Sequence, residues 1–165
     1  MIVIFLFAGA LIFAWSVIFL QHSIKKAVWV TVGFILVVGS VVLMTLNYNG
    51  YFGMKQIQTT ETRPLATMGK NRQVLAYKRL GTQTERIYFY RDNPLDTKVK
   101  KTRPTISTVV LKRGAKQNAV KITRTYRVYR NEELRLLFAN GVPNHQLTHS
   151  RYTFRVKSNS KVIEK

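Results

Sequence analysis

Two apolar runs free of charged side chains open the sequence, and they constrain the fold more than anything that follows. Residues 1–20, MIVIFLFAGALIFAWSVIFL, and residues 27–46, AVWVTVGFILVVGSVVLMTL, could each reach roughly 30 Å as a helix, the thickness of a bilayer's hydrocarbon core. Only QHSIKK, residues 21–26, separates them, too short to cross back or to form a domain. The pattern predicts a transmembrane hairpin with antiparallel helices. A cleaved secretory leader would want a basic start, a shorter apolar stretch and an A-x-A-like exit, so both spans are expected to stay in the protein.

Orientation follows from charge near the short loop. Lys25 and Lys26 are the only basic side chains before residue 55, and cytoplasmic loops retain Lys and Arg. The loop is therefore expected inside and both termini outside, in a cell membrane. Lys55 and Arg63 pull the other way, but long domains translocate largely regardless of charge. Trp29 at one end of the second span, and Tyr48, Tyr51 and Phe52 at the other, suit the headgroup layer. Ala10 and Ala14 in the first helix, and Gly33, Gly39 and Ser40 in the second, allow close helix packing or docking on a larger membrane complex. Neither span holds an ionisable group, so no proton relay or ion pathway is expected.

The rest of the chain is a different material. Lys and Arg outnumber Asp and Glu by 27 to 7, and all of that imbalance except Lys25 and Lys26 falls after residue 46. There is no cysteine, which removes disulfides, thiolate metal sites and cysteine nucleophiles. Residues 47–72, with Gly50, Gly53, Pro64 and Gly69 and no sustained period, read as a stalk. From Gln73 onward, short runs recur between turn signals: QVLAYKRL (73–80), ERIYFYR (85–91), ISTVVLKR (106–113), VKITRTYRVYR (120–130) and RYTFRVK (151–157). They predict five strands. In the last, Tyr152, Phe154 and Val156 alternate with Arg151, Thr153, Arg155 and Lys157, giving one apolar and one cationic face. Asn131, Glu132 and Glu133 open one helix, whose Leu134, Leu137 and Phe138 can cover the sheet. The expected fold is an α+β membrane protein: spans 1–20 and 27–46, stalk 47–72, and a basic extracytoplasmic domain 73–165 built on a small antiparallel sheet with one packed helix.

Catalytic and metal chemistry find little footing. Asp92 and Asp96, in RDNPLD, lack the glycine and oxygen-donor series of a calcium loop and read as turn residues. Glu132 and Glu133 suit a helix N-terminus. His145 and His149 are four apart, as in HExxH, but PNHQLTHS lacks the glutamate and follows a proline, so a loop is the simpler reading. His22 is interfacial. GKNR at Gly69 lacks a phosphate-cradling context, and no GxSxG, Walker A or GxGxxG pattern occurs. No enzyme activity, metal or cofactor is expected.

What remains is positive charge interleaved with aromatics. Arg124, Arg127 and Arg130 accompany Tyr126 and Tyr129, and Arg151, Arg155 and Lys157 line the last strand. Such a face can bind an anionic wall polymer or lipid headgroups beside its own anchor, each basic residue contributing about 1 kcal/mol near a charged surface. A cytoplasm-facing nucleic-acid binder, stacking bases on the tyrosines, is the alternative. A basic surface can also serve solubility alone. A domain that docks on another membrane protein is the remaining partner class.

With LAYKRLG, ERIYFYR, TRTYRVYRNEELRLLFANGVPN and RYTFRV in place, the chain resembles a family of uncharacterised two-span membrane proteins of lactic acid bacteria. The resemblance covers nearly the full length and implies a bacterial cell-membrane location without a known activity. The layout is also superficially similar to subunit II of cytochrome oxidases. That likeness stops at the chemistry, because the dinuclear copper site of that family needs cysteines.

Overall fold

The computed structural model describes residues 1–68, 73–80, 85–95 and 98–164. Asp96 and the GKNR stretch, both weighed above, lie outside the described residues. In chain order the elements are α1 (Ile2–Phe19), α2 (Ile24–Gly50), β1 (Met54–Pro64), β2 (Gln73–Arg79), β3 (Arg86–Tyr90), β4 (Lys100–Lys101), β5 (Ser107–Arg113), β6 (Ala119–Tyr129), α3 (Glu132–Leu137), β7 (Gln146–Val156) and β8 (Lys161–Glu164), with a 3-10 turn at Pro104–Ile106. The fold is α+β, as the periodicities predict. The chain divides into two compact units, residues 1–56 with 127–146, and residues 57–126 with 147–165.

The first unit holds the helical hairpin. Both helices are long and apolar enough to cross a membrane, and only 17% and 11% of their apolar windows are buried. What is buried follows a seven-residue repeat: Ile2, Gly9 and Ser16 in α1, and Gly33, Ser40 and Asn47 in α2. That spacing is the seam of two helices in coiled-coil-like contact. Small residues make it close, since a Cβ at Gly9 would lie 2.7 Å from the Leu36 Cβ and one at Gly33 2.7 Å from the Phe13 nitrogen. These pairs run in opposite directions along the two helices, so the hairpin is antiparallel. Ala10 and Ala14 are exposed instead, and Gly39 would meet nothing within 4 Å. Ser23 caps α2, accepting from the Lys25 N–H, and the Lys26 ammonium donates to the Val17 carbonyl at 2.9 Å.

α2 runs four residues beyond the expected span end, to Gly50, and stops at Tyr51, whose φ of 54° is left-handed. Asn131 caps α3 as read, accepting from the Leu134 N–H at 3.0 Å. Phe138 and Tyr129 stack with centroids 6.3 Å apart, and with Ile2, Met54 and Val142 they form the first unit's core, joined by Leu134, Leu137 and Leu43. The apolar side of α3 thus packs into this cluster.

The second unit holds the main β core. Sheet one has the order β1-β6-β7-β5 and sheet two β4-β3-β2-β8. The β2·β3 and β3·β4 pairs are antiparallel, while β2·β8 and β5·β7 are parallel. Val74, Leu75 and Tyr90 of sheet two meet Val120, Ile122, Phe154 and Val156 of sheet one in a single cluster. A second sheet, rather than α3, therefore covers this apolar face. All five expected strands form, and β1, β4 and β8 are additional. β1 falls in the stretch read as stalk: its MKQIQTTETRP carries almost no apolar residue to alternate, so only pairing with β6 reveals it. Gly114 takes φ 79° in the RGAK turn, a conformation that costs glycine little.

Candidate functional site

Strand alternation sorts the cations of sheet one onto two faces. On β7, Phe154 and Val156 are 0% and 1% exposed, so Ser150 and Tyr152 share their inward face while His149, Arg151, Thr153 and Arg155 point outward. The β5·β7 register sets Thr108 beside Arg151, Val110 beside Thr153 and Lys112 beside Arg155, which continues the outward face onto β5. On β6, Val120 and Ile122 are core, so Lys121, Thr123 and Thr125 face out.

The outward residues line a groove of about 390 Å³, with Lys121, Arg151, His149 and Gln58 around Thr60, Thr123, Thr125 and Thr153. Thr60 and Thr123 share a hydrogen bond at 3.2 Å, and Thr108 and the His149 Nε2 another at 3.2 Å. Among the described residues, Lys121 and Arg151 have no ion-pair partner and no carboxylate faces the groove. Three of the four described acids of this unit, Glu61, Asp92 and Glu164, are ion-paired elsewhere. Glu61, next to Thr60 on the opposite face of β1, accepts from Arg63 at 2.8 Å and Arg124 at 3.4 Å, and the Arg63 hydrogen bond holds its carboxyl below the usual range. Asp92 accepts from Arg63 at 2.8 Å and Lys100 at 2.7 Å; burial pushes its carboxyl up, but these hydrogen bonds prevail and lower it. Four of the six described acids are ion-paired, including Glu132 with Arg135 and Glu164 with Arg79.

The eight side chains that the sequence groups as an anion site do not gather. Arg151 and Arg155 are on the outward face, and Lys157 follows β7, exposed. Arg124 faces inward and bonds Glu61. Arg127 lies 3.3 Å over the Tyr51 ring, and the Arg130 Nε donates to the Met54 carbonyl. Tyr126 is half-buried. Tyr129 is 7% exposed and donates to the Val142 carbonyl at 2.8 Å, so its ring is core and no stacking platform. Period-two alternation separates Arg124 from Arg127, and the same rule, applied to KITRT, would have found Lys121. His149 lies on a strand and His145 in a turn with φ 60°, so the helical spacing of a zinc pair does not apply.

Residues 21–165 match the family described as Domain of unknown function (DUF4811). The chain belongs to the DUF4811 family. No curated protein and no solved structure matches it.

Proposed function

We propose that this DUF4811 protein is a two-span integral protein of a bacterial cell membrane, of the kind found in lactic acid bacteria, with both termini outside. Its role is non-enzymatic: the outward face of sheet one binds anionic envelope material, a phosphate-bearing wall polymer or lipid headgroups. The observation that carries this reading is the groove holding Lys121 and Arg151 among threonine hydroxyls, with no facing carboxylate among the described residues. Unopposed cations attract polyanions, and hydroxyls donate to and accept from a hydrated polyol. The loop position of Lys25 and Lys26 supports the outside orientation. The buried Tyr129 removes a stacking ring from the nucleic-acid alternative.

The test uses the full chain in nanodiscs of zwitterionic lipid with poly(glycerol phosphate) as probe. Binding is expected to weaken about thirtyfold in the Lys121→Gln/Arg151→Gln double variant, each lost charge-assisted contact contributing about 1 kcal/mol. Equal binding by the variant would overturn the assignment of the face, and exclusive capture of an apolar membrane protein in native crosslinking would favour docking instead.

A further inference from the structure

We propose that the second unit also contains a site for a phosphate monoester, an open cleft separate from the outward groove and independent of its function. A cavity of about 260 Å³ on the inward side of sheet one is lined by Lys101, Arg103, Ser107, Arg124, Ser150 and Tyr152. Five segments of chain meet there: β4, the turn before β5, and the inward faces of β5, β6 and β7. The parallel register sets Ser107 directly beside Ser150. The Ser107 hydroxyl donates to the Arg103 carbonyl, tying the segment that carries the guanidinium to the strand that carries the serine.

Charge and unused hydrogen-bonding capacity select the ligand. Among the described residues neither Lys101 nor Arg103 has a partner for its charged group, and Arg124 is shared with Glu61 only at 3.4 Å. Ser150 is 3% exposed, yet among the described residues its hydroxyl has no hydrogen-bond partner and is not sealed off, so it opens on the cavity it lines. Two uncompensated cations and a third partly compensated one suit a dianion better than a carboxylate or a phosphodiester. A phosphate monoester carries between one and a half and two negative charges near pH 7 and presents three acceptor oxygens, with its second ionisation near about pH 6. Arginine guanidinium and lysine ammonium supply the charge-assisted donors, and Ser150 the neutral one. The volume admits about eight water-sized groups, enough for the phosphate and a short substituent. Ile106 and Leu147 complete the wall and would cover the carbons of that substituent.

The chemistry is the same whether the monoester is soluble or a lipid headgroup, and two experimental arms separate them. In the first, the full chain in zwitterionic nanodiscs is titrated calorimetrically with inorganic phosphate and with glycerol 3-phosphate. In the second, nanodiscs carry phosphatidic acid or phosphatidylglycerol, and retained lipid is read by native mass spectrometry. The expected result is one-to-one saturable binding in at least one arm, tightening as pH rises from about 5 to about 7.5 with the second ionisation of the ester. Soluble binding identifies a soluble ligand; selective retention of phosphatidic acid identifies a headgroup. Lys101→Gln or Arg103→Gln should weaken it about tenfold or more, and Ser150→Ala about threefold, while Lys161→Gln, which removes one charge elsewhere, should not. Circular dichroism of each variant confirms folding. No saturable binding in either arm, or binding indifferent to Lys101→Gln and Arg103→Gln, would overturn the site. Because poly(glycerol phosphate) binding is read on Lys121 and Arg151, either proposal can fail alone.

Discussion

Asn47, 1% exposed near the end of α2, donates through Nδ2 to the Phe52 carbonyl at 2.8 Å, while its Oδ1 accepts from the Val142 N–H at 3.4 Å and the Tyr129 hydroxyl at 3.5 Å. One amide therefore satisfies the chain after α2, the loop after α3 and the end of β6, all within the first unit. Asn47→Ala takes the side-chain partner from the Phe52 carbonyl and the Val142 N–H, while the Tyr129 hydroxyl keeps the Val142 carbonyl, and thermal unfolding in detergent should show a loss of about 1–3 kcal/mol. Tyr129→Phe keeps the ring stack and loses only the hydroxyl's bonds, so about 1 kcal/mol is expected.

Asp92 makes the matching case in the second unit. Its carboxyl lies below its ordinary value because hydrogen bonds from Lys100 and Arg63 outweigh the opposing effect of burial. A carboxyl depressed in the folded state stabilises the fold above its unfolded pKa, near about 4, and that contribution disappears as pH falls through the folded value. Acid unfolding followed by tryptophan-independent circular dichroism should therefore flatten below about pH 4 in Asp92→Asn relative to the parent chain. An unchanged acid limb would mean that the two cations contribute nothing to stability.

Among the elements, the α1–α2 seam gives the sharpest contrast between two glycines on one helix. A side chain at Gly33 collides with the Phe13 backbone, whereas one at Gly39 meets open space. Gly33→Leu should cost about 1–3 kcal/mol or separate the helices, visible as faster proteolysis of the hairpin. Gly39→Ala should be neutral or stabilising by up to about 1 kcal/mol, since alanine is the better helix former. Both glycines look alike in the sequence, and small-residue spacing alone picked Ala10, Ala14 and Gly39 together with Gly33 and Ser40. Only the seven-residue rhythm of Gly9 with Ser16 and Gly33 with Ser40, once two helices are laid together, marks the true seam. β1 went unread for a related reason: a strand whose residues are polar on both faces has no period to detect, and its partner β6 lies some sixty residues away in the chain.

For the molecule as a whole, the proposed topology and the proposed polyanion binding make separate demands. Alkaline carbonate should leave the chain in the pellet, and protease added to intact cells should remove the residues after α2 while sparing Lys25 and Lys26. Digestion only in opened cells would reverse the orientation. Polyanion binding should fall steeply with salt, because the Debye length shrinks from about 10 Å at 0.1 M to about 3 Å at 1 M. Binding that persists at 1 M salt would point to an apolar contact.

The hairpin, the two-faced β7, the capped α3 and strands β2, β3, β5 and β6 were legible in the sequence, because each is a local pattern: uncharged length, alternation, or a cap followed by acids. The grouping of cations was decided by tertiary structure. Arg124 and Arg127 are neighbours in the chain, yet one turns inward to Glu61 and the other lies over Tyr51. Lys101 with Arg103, Arg124, and Ser150 come from three well-separated parts of the chain and line one cavity. Periodicity states which side of its own strand a residue occupies; which strands pair, and in what register, depends on burying apolar faces against each other, and that is a property of the whole fold.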